Sequence, residues 1–221
     1  VLASGVAALF GLFFAMLESG DRVVFSSVTY IAVYRLLNEL FKNKFNVETT
    51  IVDTTDLEAI KAALRPDTKL VHIETPGNPS LGIADIEAIA KIVHENGALL
   101  GVDNTFASPF NQRPIEFGAD FVIESLTKYI NGHSDAMGGA IIGPTKYLDT
   151  IRTQSMVNVG GAISPFNAWL IMRGSVTLTL RMRQHNENAQ KGAEWLEAQP
   201  CVSFVSCPGL KSHKEHEIAK K

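Results

Sequence analysis

The segment Asp120-Phe-Val-Ile-Glu-Ser125-Leu-Thr127-Lys128-Tyr-Ile-Asn-Gly132-His133 places an amine just after two hydroxyls, where a short apolar run gives way to a glycine-containing loop. A second apolar run, Gly97 to Val102, ends in Asp103-Asn104-Thr105, and a third, Lys69 to Ile73, ends in Glu74 and leads to Asn78. An amine beside hydroxyls suits a phosphorylated cofactor that carries a carbonyl group. A carboxylate on a neighbouring strand suits a protonated ring nitrogen. Ser4-Gly5-Val6 adds a predicted helix start, whose free amides can hold an anion. Taken singly, each group has a structural explanation. A lysine after a strand is commonly a surface charge, Asp103 can close an Asx-turn, and Ser125 and Thr127 can satisfy strand-end backbone groups. Ser4 can be a cap and nothing more, and His133 a loop hydrogen-bonder. Their joint placement on successive strand ends is what points to a site, because ligands of open α/β sheets sit beyond the carboxyl ends of the strands.

The elements that must position these groups alternate along the chain. Ser4 is placed as the N-cap of a buried helix running to about Leu17, closed by Gly20-Asp21. Strands are predicted at Arg22 to Phe25, Val47 to Val52, Lys69 to Ile73, Leu99 to Val102, Phe121 to Ile123 and Gly138 to Gly143. Apolar spacing predicts helix over Tyr30 to Phe41. A short helix from Asp56 to Leu64 ends at Arg65-Pro66, since a residue before proline is pushed out of the helical region. Asp85 to Asn96 is amphipathic, with Ile86, Ile89, Ile92 and Val93 on one face and Gly97 as its stop. A long helix is predicted from Thr177 to Gln199, then a new strand from Cys201 to Val205 and a turn at Pro208-Gly209. Apolar strands separated by helices predict an α/β fold with a mostly parallel sheet flanked by helices.

Composition narrows the class further. Among 221 residues, 46% are apolar and 19% charged, a globular balance with room for one sizeable core. A formal net charge of -3 offers no basic stripe for nucleic acid. The apolar run Leu2 to Leu17 is too short and too glycine-interrupted to cross a membrane, and no cationic segment precedes it. The partners read from the chain are therefore a small molecule, with no nucleic acid and no membrane. Two cysteines, Cys201 and Cys207, lie too far apart along a strand for an unstrained bridge, which predicts reduced thiols and a cytoplasmic protein. No metal site is expected, since His213 and His216 lack a flanking ligand motif. The sequence holds no Gly-x-Gly-x-x-Gly and no P-loop, so a nucleotide-binding α/β protein is the weaker reading. The apolar start at Val1 suggests the interior part of a longer protein.

Pyridoxal phosphate (PLP) uses an amine, a phosphate cradle and a ring-nitrogen acid together. Glu74-Thr-Pro-Gly-Asn-Pro79, Val102-Asp-Asn-Thr-Phe106 and Ser125-Leu-Thr-Lys-Tyr-Ile-Asn-Gly-His-Ser-Asp135 resemble the signatures of the Cys/Met-metabolism (trans-sulfuration) PLP enzymes. Ser4-Gly5, Gly161 to Pro165 and Arg173 to Met182 extend the resemblance nearly end to end. It implies a PLP-dependent transferase fold of the aspartate aminotransferase-like kind (fold type I). Residues 1–190 would form the PLP-binding large domain, and 191–221 the start of a truncated C-terminal small domain. It also implies a carbon-sulfur lyase or transferase acting by γ-elimination or γ-replacement, of cystathionine γ-synthase, γ-lyase or methionine γ-lyase type. O-acetylhomoserine sulfhydrylase and cystathionine β-lyase are the alternatives, and an inactive relative a further one. Lys128 would carry the cofactor covalently and then move protons, and Asp103 would pair with the ring nitrogen. Ser125 and Thr127, with the amides of Gly5 and Val6, would hold the phosphate, and Thr105 would belong to the same site. Tyr30 would stack on the ring and assist proton transfer, and Asn78 would contact the ring hydroxyl.

Where the family pattern has glycine after its stacking tyrosine, this chain has Ile31. It has Ala32 where methionine γ-lyases have cysteine, Val6 for a usual methionine, and Glu124 where histidine is common. The resemblance further implies a homo-oligomer, a dimer of dimers with the site at the subunit interface. On that reading the neighbouring subunit's tyrosine and arginine lie upstream of Val1, and the arginine that grips the substrate carboxylate lies beyond Lys221.

Overall fold

In the computed structural model, which describes residues 1–221, all six predicted core strands form one sheet in the order β2-β1-β3-β4-β5-β6. The chain opens with helix α1 (Gly5–Met16), then β1 (Arg22–Ser26). Next comes a helical rod made of α2 (Ile31–Tyr34), a π-helical stretch (Arg35–Phe41) and α3 (Lys42–Phe45). Then follow β2 (Glu48–Val52), α4 (Leu57–Ala63), β3 (Thr68–Glu74), α5 (Ile86–Glu95) and β4 (Leu99–Asp103). A short α6 (Ser108–Asn111) and a 3-10 turn (Pro114–Phe117) lead to β5 (Phe121–Ser125) and β6 (Gly139–Ile142). The remainder is helical: α7 (Thr145–Ile151), which continues as a π-helical stretch (Arg152–Asn158), then α8 (Pro165–Ser175), α9 (Leu178–Glu197) and α10 (His216–Ala219).

β1 to β5 run parallel, so their carboxyl ends share one edge of the sheet; β6 returns antiparallel to β5. Strand alternation sends Leu70 and Phe121 to one face, into a core with Leu9, Leu12 and Phe13 of α1. Val71, Ile73, Leu100 and Val102 go to the other face, against Ile86, Ile89 and Val93 of α5. α1 is apolar on nearly all sides because beyond its first turn it is covered by the sheet and by the 145–158 segment. Each fully buried leucine or phenylalanine contributes roughly 1.5–3 kcal/mol to holding these layers together.

The expected fold class therefore holds, and the sequence misread one element. Residues 201–207 form no strand. Phe204 is 80% exposed and no residue of the segment pairs with a strand of the sheet, so its amides and carbonyls enter no ladder. Cys201 and Cys207 are unpaired thiols on this irregular segment. α7, α8 and the π-helical stretch Arg152–Asn158 had no counterpart in the sequence reading.

Candidate active site

The carboxyl ends of β1, β3, β4 and β5 open onto a cavity of about 1030 Å³. Gly5, Val6, Tyr30, Asn78, Asp103, Thr105, Ser125, Thr127 and Lys128, all nine residues selected from the sequence, line this single space. They arrive from five separate stretches of chain, each delivered by its own element.

α1 supplies the floor. The Ser4 hydroxyl accepts the Ala7 amide at 3.1 Å and caps the helix, so the amides of Gly5 and Val6 precede the first helical bond. Glycine is required at position 5, since a Cβ there would lie 2.9 Å from both Cβ and Oγ of Ser125. α1 is anchored at this height by Leu2, whose amide and carbonyl pair with Gly139 of β6 at 2.8 and 2.9 Å. Opposite, Ser125 ends β5, and its amide donates to the Thr105 hydroxyl at 2.9 Å. Thr127 exchanges hydrogen bonds with Gly138: its hydroxyl donates to the carbonyl at 3.3 Å and accepts from the amide at 3.2 Å.

Lys128 follows in a turn, with its amide on the Ser125 carbonyl at 3.0 Å and its carbonyl accepting from Gly132 at 2.8 Å. The side chain is exposed to the cavity. Arg181 of α9 holds the loop that continues from it. The guanidinium donates to the carbonyls of Tyr129 (2.7 Å), Ile130 (3.1 Å) and Gly174 (3.2 Å), and to the Thr177 hydroxyl (3.0 Å). Gly132 fits beneath it with φ +73°, and a Cβ there would overlap the guanidinium.

Two acids stand side by side in the β3–β4 register, Glu74 and Asp103. Asp103 accepts the Thr105 amide at 3.0 Å and has no cationic partner in the chain. Burial pushes its carboxyl above the ordinary range, opposed by the hydrogen bonds from Thr105. Glu74 is pushed up to about 7, by burial first and by the Asp103 charge second. Its oxygens receive the Tyr30 amide at 2.5 Å, the Thr29 hydroxyl at 3.0 Å and the Asn78 amide at 3.2 Å.

The chain matches the model of the Cys/Met metabolism PLP-dependent enzymes over residues 1–221. It belongs to that family. A canavanine gamma-lyase of Rhizobium leguminosarum bv. trifolii is 52% identical over 220 residues, covering 100% of this chain and 55% of the relative. A cystathionine gamma-synthase of Mycobacterium bovis is 46% identical over 219 residues (99% and 56%). An L-methionine gamma-lyase of Treponema denticola is 41% identical over 222 residues (99% and 55%). The crystal structure of metB from Corynebacterium glutamicum superposes with a TM-score of 0.94 at 45% identity, covering 99% of this chain and 57% of that one. The chain spans about half the length of the curated relatives it matches.

For a Cys/Met metabolism PLP-dependent enzyme, the residues present fit the cofactor. Free amides at Gly5 and Val6 meet Ser125 across a gap that only glycine leaves open, which suits a phosphate. Asp103 is a buried carboxyl without a cation, which suits a protonated ring nitrogen. The sequence reading missed Phe106, Met137, Asn167, Arg181 and His185 as cavity-lining residues. Arg181 and His185 are four apart on α9, so helical spacing from the Arg173 to Met182 block could have flagged the pair. His133 lies in the loop after Lys128 and donates from Nδ1 to the Asn131 carbonyl at 2.6 Å. His213 and His216 lie on the far segment, on Glu215 and the Pro208 carbonyl.

Proposed function

We propose that the full protein is a PLP-dependent carbon-sulfur lyase or transferase of trans-sulfuration type. It would carry out γ-elimination or γ-replacement on sulfur amino acids or activated homoserine. The observation that carries this reading is the convergence of an amine, two hydroxyls, free helix amides and a buried acid on one cavity. Bound there, the cofactor would supply an electron sink for charge developing on the substrate carbon. Lys128 would attach it and, once freed, take and return protons at its amine. Asp103 would hold the ring nitrogen charged. The amides of Gly5 and Val6, with Ser125 and Thr127, would hold the phosphate, with Thr105 orienting the Ser125 backbone. Tyr30 would cover the ring and Asn78 would meet its hydroxyl.

On this reading residues 1–190 are the cofactor-binding large domain and 191–221 begin a C-terminal small domain. The protein would act in the cytoplasm as a homotetramer, a dimer of dimers with the site at a subunit interface. The unpaired Cys201 and Cys207 support a reducing compartment, and no helix is long and apolar enough to cross a membrane. The exposed apolar row Phe166, Trp169, Met172 on α8 supports burial against another copy.

A specific observation adds canavanine to the candidate substrates: relatives named canavanine gamma-lyase are 52% and 50% identical to this chain. Incubating the purified full-length protein separately with methionine, cystathionine, canavanine and O-acetylhomoserine, with and without sulfide, separates the possibilities by product. Oxo acid and thiol from methionine select a lyase. Homocysteine formed from O-acetylhomoserine only with sulfide selects a sulfhydrylase. A cofactor absorbance band without turnover of any substrate selects the inactive relative. Absence of a borohydride-sensitive band overturns the reading.

A further inference from the structure

We infer that Glu74 is a positioning residue, a clamp that ties the loop carrying Tyr30 to the turn carrying Asn78 and so sets the width of the cavity mouth. The inference rests on the placement of Tyr30 and Asn78 proposed above.

Glu74 is 8% exposed and sits where β3 ends. Its two oxygens are divided between two stretches of chain. Oε2 accepts from the Thr29 hydroxyl and the Tyr30 amide, while Oε1 accepts from the Asn78 amide. The two loops also touch directly: a Cβ at Gly77 would stand 3.2 Å from Cγ1 of Val28. Tyr30 itself is 44% exposed and its side chain has little packing of its own, so its height over the cavity is set through its backbone. That backbone is fixed by the shortest of the three hydrogen bonds.

The clamp requires both carboxylate oxygens as acceptors, and protonation turns one of them into a donor. The Thr29 hydroxyl can reverse and accept, but the amides of Tyr30 and Asn78 can only donate. The groups facing Glu74 are Thr29 and Tyr30 from the loop after β1, Asn78 from its own turn, and the Asp103 carboxylate from β4; no basic side chain reaches it. With its midpoint about 7, the clamp loosens as pH falls through neutrality. A cation bound at Asp103 cancels the like charge that raises Glu74, and so holds the clamp closed to lower pH.

Residue-resolved amide hydrogen exchange on the full-length protein, with cofactor removed and with pyridoxal phosphate restored, tests this. After correction for intrinsic rates, Glu74→Gln is expected to speed exchange by about tenfold at whichever of the Tyr30 and Asn78 amides faces the new Nε2, and to leave Leu100 unchanged. In the wild type the same two amides loosen between pH 8 and 6, with the midpoint moved down when pyridoxal phosphate is present. Unchanged exchange in folded E74Q, or a wild-type profile flat across that range, overturns the clamp. The pH series needs no variant and stands even where E74Q folds poorly. Exchange in the cofactor-free protein is independent of any absorbance band, so failure of the clamp and failure of the PLP reading are told apart.

Discussion

The two faces of the sheet carry matching polar clusters at the same strand ends, and they differ in how completely their polar atoms are satisfied. On the α1 face, Glu74, Asp103 and Ser125 look into the cavity, and Asp103 is a buried acid without a cation. On the α5 face, one residue along each strand, Asn104 and Glu124 are closed into a network. The Asn104 Nδ2 donates to Glu124 Oε1 at 2.7 Å and to the Gln112 carbonyl at 3.0 Å. Gln112 Nε2 returns to Asn104 Oδ1 at 2.8 Å and to the Thr75 carbonyl at 2.9 Å. A cluster that spends its hydrogen bonds internally is scaffold; one that leaves a buried charge unpaired is built for a ligand. Adjacent residues such as Asp103 and Asn104 thus serve different ends because a strand turns them to opposite sides.

Substitutions on the two faces should separate binding from stability. The largest effect is expected for Lys128→Ala, which removes the proposed attachment point: the borohydride-sensitive absorbance band disappears and turnover falls at least about a thousandfold, while Tm is unchanged. A K128A protein that keeps the band would break the comparison at its front face. Asp103→Asn removes the charge proposed to face the ring nitrogen and should weaken cofactor affinity by roughly tenfold to a hundredfold, read by titration of the apoprotein with pyridoxal phosphate. Ser125→Ala, which takes one donor from the proposed anion cradle, should cost about tenfold in the same titration.

Behind the sheet, the expected signature is thermodynamic. Burial pushes Glu124 up to about 8, against the Asn104 hydrogen bond and with help from the Asp103 charge. The folded protein then keeps a proton that the unfolded chain has released. Stability from this group is full below about pH 4.5 and is lost as pH rises toward 8. Glu124→Gln imitates the neutral acid, so its unfolding free energy should lose this slope and exceed that of the wild type by about 3–5 kcal/mol at pH 8 in denaturant titrations. Its pyridoxal phosphate affinity should stay within about twofold. An E124Q variant with no gain at pH 8, or one that loses the cofactor, would show that the back network is part of the site.

Much of the front face was legible from sequence because each group is announced by its own strand end. The runs before Glu74, Asp103 and Ser125 are apolar and short, and each polar residue falls where the run stops. Ser4 announced its helix as a cap, with its hydroxyl accepting the Ala7 amide. The back network was hidden, since nothing near Glu124 in sequence indicates Asn104 or Gln112 as partners. Arg181 was hidden for the same reason: its carbonyl partners lie about 50 residues upstream, and only folding brings them together. The rod from 31 to 45 followed the predicted apolar spacing, but that spacing could not show its π-helical middle, where Leu37 and Phe41 are buried four apart. The error at 201–205 came from reading alternation without a neighbour, since an edge is needed before an extended segment becomes a strand.

Arg181 and Glu74 tie down opposite sides of the same cavity with different chemistry. Glu74 grips its loops through an acid that gains a proton near neutrality. The guanidinium grips the loop after Lys128 through neutral carbonyl dipoles and meets no carboxylate. Its carbonyl partners take up no proton over the working range, and it makes no ion pair that salt could screen. On the proposed clamp, acidification slackens only one shore of the cavity: the loop after Lys128 stays moored while the loop carrying Tyr30 drifts.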